Sequence, residues 1–187
     1  MEALRITDWL GQFIRQQVKS GDLCVDATMG NGNDTALLST LAGEQGSVIA
    51  FDIQELALQR TREKLKAEHC PENVRLLLES HENIGQYAEP GTVSCITFNF
   101  GYLPGGDHEK ATRPKTSVRA IESGLKLLKK DGLMTLCIYS GGDTGFSERD
   151  QILSYLRSLN PKEYLVIVSE YANRPNHPPV PAMVIRL

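Results

Sequence analysis

Between residues 23 and 139 short β-branched and apolar runs alternate with longer stretches of helical periodicity, and that alternation leaves few folds open. Residues 23–27, 47–52, 74–78, 93–98 and 133–139 read as strands. Helical patterns occupy about 34–41, 55–68, 117–128 and 147–159. A strand that is followed each time by a helix predicts a parallel sheet covered on both faces. The end of the chain departs from this rule. Two apolar runs, 164–169 and 182–187, are joined by a segment too short for a crossover helix, so the last strand is expected to run antiparallel beside its neighbour. The expectation is an α/β fold with a seven-stranded, mostly parallel sheet, an antiparallel last strand and helices on both faces. Ahead of it, Leu4, Trp9, Leu10, Phe13, Ile14 and Val18 mark an amphipathic helix over 4–18, with Trp9 assigned to the core.

A chain of 187 residues accommodates one domain with a sizeable core, so 1–187 is expected to be a single domain, its helix within 1–20 packing on or capping it. There is no internal repeat and no linker. No apolar run approaches the roughly 18 residues of a membrane span, and no charged leader precedes an apolar stretch and cleavage site. The reading is a soluble, unexported, cytoplasmic protein without a membrane partner. Cys24, Cys70, Cys95 and Cys137 lie far apart with no CxxC spacing, which predicts buried free thiols and no metal site. A net charge of −3 argues against a protein that coats nucleic acid by bulk electrostatics. One local basic patch stands out: Lys110, Arg113, Lys115 and Arg119 against the single acid Glu109. On charge alone a solvated helix face explains it.

In a parallel sheet the ligand lies outside the carboxyl ends of the strands, near the point where strand order reverses. The stretch DATMGNGNDT, from Asp26 to Thr35, falls at such an end. Gly30 and Gly32 permit a tight turn, and amides at the start of the next helix point into the site. The dinucleotide pattern GxGxxG is incomplete, because Thr35 occupies its third glycine position. Asp26, at the end of the first strand, would repel a pyrophosphate but would accept hydrogen bonds from an amine-bearing or cationic ligand such as a sulfonium with an amino acid tail. Asp52 closes the second strand, placed to take the ribose hydroxyls of an adenosine; helix capping is the plain alternative. At the exit of the fourth strand, Asn99 offers an amide carbonyl that could orient an amine. Asn is also a common turn residue. Phe100 and Tyr102, in the glycine-rich loop that follows, are candidates for stacking on a base.

These segments resemble the class I S-adenosylmethionine-dependent methyltransferases, a Rossmann-like fold. Residues 26–32 stand for the glycine-rich first motif, Asp52 for the ribose-binding acid, and residues 99–102 for a fourth motif similar to the N-P-P-Y loop of amino methyltransferases. Thr28 takes the place of the first family glycine, and Phe100-Gly101 replaces the two prolines. The resemblance is closer still to a small bacterial family labelled rRNA methylases, over essentially the whole chain. It is carried by DATMGNGNDT, FDIQ, NFGYLPGGDH with TRPKTSVRAIESGL, IYSGGDTG and NRPNHPPVPAMVI. The resemblance implies S-adenosyl-L-methionine as cofactor and methylation of the aminomethyl group on the wobble (2-thio)uridine of tRNA, with the anticodon loop as partner. Carried over residue by residue, it makes Asn99, Phe100 and Tyr102 the catalytic candidates. Asp26, Thr28, Gly30, Asn31, Gly32, Asn33, Asp34, Asp52, Gln54, Ser80, His81 and Asn99 become the cofactor candidates.

The loops 100–113, 140–146 and 172–181 all leave strand carboxyl ends, which brings substrate candidates to one place: Tyr102, His108, Lys110, Arg113, Lys115, Tyr139, Gly142, Arg174 and His177. Beside a methyl acceptor, the basic patch reads as a phosphate contact. Three other readings share these residues: methylation of another nitrogen in rRNA or protein, a noncatalytic nucleotide- or RNA-binding module, and a nicotinamide dehydrogenase. The first helix could cap the sheet or join two subunits as a homodimer.

Overall fold

The strands form one seven-stranded sheet in which all but the last run parallel, so that six carboxyl ends share one edge. A computed structural model describes residues 5–101, 105, 112–140 and 142–187, without the side chains of 142–145. The strands are β1 (Leu23–Asp26), β2 (Ser47–Asp52), β3 (Val74–Leu78), β4 (Val93–Phe100), β5 (Leu128–Ile138), β6 (Tyr164–Val168) and β7 (Val180–Arg186). The helices are α1 (Ile6–Gln17), α2 (Asn33–Ala42), α3 (Glu55–Ala67), α4 (Pro114–Leu127) and α5 (Gly142–Arg157), with a 3-10 turn at His81–Gln86. β1 pairs in parallel with both β2 and β4, and β4 with β5, so the order reverses between β1 and β4. β7 inserts between β5 and β6 and runs antiparallel to both, with Ile138 opposite Val180 and Val168 opposite Ala182. This is the expected α/β sheet with its antiparallel last strand.

Alternation along each strand divides the core in two. Val25, Ile96, Phe98 and Leu136 face α4 and α5, together with Ile121 and Ile152. Cys24, Cys95 and Cys137 face α1 and α2, where Leu10, Ile14 and Leu38 cover them. The three thiols are free and buried, and burial pushes Cys24 and Cys137 up to about 12. Trp9 packs edge-on against Phe13 beside the second cluster. No described helix is long and apolar enough to cross a membrane.

Several boundaries differ from the sequence expectation, each for a local reason. β4 continues through Asn99 to Phe100 because its ladder to β5 persists, with Asn99 opposite Cys137 and Phe100 opposite Ile138. β5 starts at Leu128 and crosses an irregularity where Val93 pairs with Leu128 but Cys95 with Leu133; the polar residues in between hid this from periodicity. α4 begins at Pro114, since proline at the first helical position has no amide to satisfy. The expected loop 140–146 is shortened because α5 starts at Gly142.

Candidate functional site

A cleft of about 1140 Å³ opens at the carboxyl ends of β1, β2, β4 and β5. Its floor is the turn between β1 and α2. Gly30 and Gly32 have φ of 51° and 77°, a region open to glycine at little cost. A Cβ on Gly32 would also stand 3.0 Å from the Thr61 backbone and side chain. Gly30 N–H donates to Asp52 Oδ2 at 3.1 Å, and Gln54 N–H donates to Asp52 Oδ1 at 2.9 Å. The turn after β1 is thus tied to the end of β2. Burial raises the Asp52 carboxyl above its usual range, and the two backbone donors oppose that shift. Arg60 Nη1 donates to Asn31 Oδ1 at 3.0 Å, a support from α3 that spacing gave no sign of.

Asp26 corrects the sequence expectation. It is 0 % exposed and does not line the cleft. Its oxygens accept from the Thr35 hydroxyl at 2.6 Å and the Thr28 N–H at 3.2 Å, so it holds the turn from below instead of meeting a ligand. Thr35, which broke the dinucleotide pattern, is the partner this buried carboxylate needs. Of the two acids in this stretch, the one that lines the cleft is Asp34, in the first turn of α2. Asp34 Oδ2 accepts from Asn99 Nδ2 at 2.7 Å. That bond fixes the amide and leaves Asn99 Oδ1 as an acceptor on a residue that lines the cleft. Burial, and then the neighbouring Asp34 charge, raise Asp26; burial raises Asp34 against the Asn99 hydrogen bond.

Thr28 links the two motifs. Asn99 N–H donates to Thr28 Oγ1 at 2.6 Å, one step beyond the backbone bond from Ala27 N–H to the Thr97 carbonyl. The hydroxyl continues the β1·β4 ladder where the strand itself has ended. Phe100 is a second correction. It is 0 % exposed and stacked on Phe98 at 5.0 Å and 12°, so it belongs to the core and has no face for a base.

The remaining walls come from several elements. Ser80 and His81 line the side beyond β3, where the Ser80 hydroxyl accepts from Glu82 N–H. His81 is 8 % exposed, its Nε2 has no partner among the described residues, and burial pushes it down to about 4. Gln54, Asn33, Arg113, Tyr139 and His177 also line the cleft, with Ser140 between β5 and α5. Lys115 and Arg174 are exposed and stand outside the lining, and Gly142 is the first residue of α5. Tyr102, His108 and Lys110 lie outside the described residues.

Two features escaped the sequence reading. α1 forms a wall of the cleft through Thr7, Asp8, Gly11 and the exposed Arg5 and Arg15, so it does more than cap the sheet. Glu148, 2 % exposed on α5, accepts from Thr112 Oγ1 at 2.8 Å and Ser117 Oγ at 2.5 Å. Thr112 in turn bonds Gly101 through both backbone and hydroxyl. A buried acid amid surface-type residues leaves no periodic signal.

The family model described as "Putative rRNA methylase" matches residues 48–185. A tRNA (mnm(5)s(2)U34)-methyltransferase, chloroplastic, of Arabidopsis thaliana is 31 % identical over 175 residues, which are 87 % of this chain and 63 % of that protein. The chain spans less of the Yersinia C-methyltransferases of ubiquinone and menaquinone biosynthesis, 43 % of their length. Among solved structures, a "putative rRNA-methylase" from Clostridium thermocellum has TM-score 0.95 and 38 % identity, covering 100 % of both chains. A "putative methyltransferase" from Streptococcus mutans in complex with SAH has TM-score 0.89 and 36 % identity, covering 99 % of both.

Proposed function

The chain belongs to the family described as "Putative rRNA methylase", and from that premise we propose that it is an S-adenosylmethionine-dependent N-methyltransferase acting on tRNA. Its substrate is the aminomethyl nitrogen of 5-aminomethyl-(2-thio)uridine at the wobble position, which becomes 5-methylaminomethyl-(2-thio)uridine. The relative from Arabidopsis thaliana supports this choice of RNA and base.

The residues fit the cofactor. Asp52 presents a carboxylate to the cleft whose backbone donors leave lone pairs for ribose hydroxyls. His81 brings a buried ring nitrogen without a partner to the same cleft, a polar handle for a purine edge. When bound, the cofactor supplies an electrophilic methyl group on a sulfonium. The chain's own part is positioning. Asn99 Oδ1 accepts an N–H of the incoming amine, which aims its lone pair, and the Asp34 bond to Nδ2 stops the amide from flipping. Arg113 and Tyr139, which line the same cleft, would meet a phosphate and the extruded base. The wobble base lies in a single-stranded loop, so turning it out costs little.

The observation that carries this reading is the oriented Asn99 amide between the two halves of the cleft. Its test is transfer of labelled methyl to tRNA from a strain lacking the protein, with nucleoside mass spectrometry. One added methyl on 5-aminomethyl-2-thiouridine is expected, with at least a roughly 100-fold loss of rate in Asn99→Ala. Label in rRNA or protein alone would overturn the tRNA assignment.

A further inference from the structure

The amine that attacks must first lose a proton, because a primary ammonium has no lone pair. Resting on the function proposed above, we infer that Asp34 is the group that binds this ammonium and takes its proton. Asn99 and Asp34 then act as one unit, the amide oxygen and the carboxylate receiving two N–H bonds of the same nitrogen.

Among the described residues, the other cleft candidates are each committed elsewhere. Both Asp52 oxygens accept backbone amides on the β2 side. Glu79 Oε1 accepts from Ser80 N–H at 2.9 Å and Asn83 Nδ2 at 2.8 Å. Asp8 is exposed and pairs with Arg5 at 3.9 Å. His177 packs edge-on against Phe146 at the rim, and His81 is a weak base once buried. Asp34 remains, 2.7 Å from the amide that would orient the amine, with one oxygen not used in that bond.

Its electrostatic surroundings favour the role. Asp26 beneath it, Cys95 and Cys137 on β4 and β5, and Tyr139 at the end of β5 all sense its charge, and each is acidic or neutral. From α1, Asp8 and Arg15 line the cleft. No described cation is bonded to Asp34, and its charge stands against that of Asp26, whose pKa it raises. An arriving ammonium relieves that repulsion, and burial brings the two pKa values closer than they are in water. The Asn99 bond places Asp34 at the end of β4, whereas Asp52 closes β2.

The balance is simple. R–CH₂–NH₃⁺ and Asp34–COO⁻ give R–CH₂–NH₂ and Asp34–COOH. The nitrogen pair then forms the new N–C bond as the C–S pair leaves with sulfur. The product is R–CH₂–NH₂⁺–CH₃, and the Asp34 proton passes to solvent as product departs.

A primary ammonium also occurs at the amino acid end of the cofactor, so the test must separate the two. Methyl transfer by the full chain to an anticodon stem-loop carrying 5-aminomethyl-2-thiouridine is followed from pH 6 to 10, and S-adenosylhomocysteine affinity is measured by calorimetry for wild type and Asp34→Asn. The expected result is a roughly 100-fold loss of kcat in Asp34→Asn at neutral pH that recovers as pH rises toward the ammonium's own pKa. S-adenosylhomocysteine affinity should stay within about threefold, which also reports that the variant folds. A loss of kcat equal at every pH, an unchanged kcat, or a roughly tenfold loss of S-adenosylhomocysteine affinity overturns the inference while leaving the proposed function standing. Wild type that binds S-adenosylhomocysteine but transfers nothing to this RNA overturns both.

Discussion

Thr28 looked like a defect in the first motif, since it stands where a glycine is usual, yet its hydroxyl receives the Asn99 N–H at 2.6 Å. Removing that acceptor leaves a partly buried amide unpaired. Thr28→Val should therefore cost about 1–3 kcal/mol in denaturant unfolding, and Thr28→Ser should recover most of it. His81 gives a pH signature. Its folded pKa lies near 4 against 6.5 unfolded, so below about 6.5 the unfolded chain takes up a proton that the folded chain refuses. That contribution to stability is complete above 6.5 and is lost as pH falls toward 4. Relative to His81→Phe, wild type should lose up to about 3 kcal/mol across this window in urea titrations. Asp26 and Asp34, raised by burial, act with the opposite sign, and the difference between the two proteins cancels them.

At the scale of elements, the end of β4 decides which side chains meet the cleft. Because the ladder to β5 runs on to Phe100, successive residues point to opposite faces: Asn99 lines the cleft and Phe100 enters the core against Phe98. Phe100→Ala should destabilise by about 3–5 kcal/mol. Phe100→Leu should cost on the order of 1 kcal/mol and leave RNA affinity unchanged in a filter-binding assay, which a base-stacking role would not allow. α5 contributes through Glu148, whose two hydroxyl partners tie Thr112 to α4 and, through Gly101, to the end of β4.

For the whole molecule, on the proposed function, a net charge of −3 and a cleft lined by Arg5, Arg15 and Arg113 mean that affinity for RNA must come from a few local contacts. Each phosphate contact adds about 0.7 to the slope of log affinity against log salt for a single strand. On the proposed function, Arg113→Ala should weaken stem-loop binding and lower that slope by about this amount, read from fluorescence anisotropy over a salt series. An unchanged slope would place Arg113 away from the RNA.

Some of this was legible in the linear chain. Strand and helix alternation dictates a parallel sheet, the short final connection forces an antiparallel strand, and Gly30, Gly32 and Asp52 mark strand ends at a reversal of order. These are consequences of period, connection length and φ preference, all local quantities. What folding alone decided is where each polar group points. Asp26 and Asp34 are alike in the sequence, but the turn between them buries the first under Thr35 and turns the second to Asn99. Asn99 and Phe100 read as a loop until β5 supplied hydrogen bonds to extend the strand. α1 became a cleft wall, and Glu148 met Thr112 and Ser117, through contacts between segments far apart in sequence. Burial and pairing across the chain set those outcomes, and no local pattern encodes them.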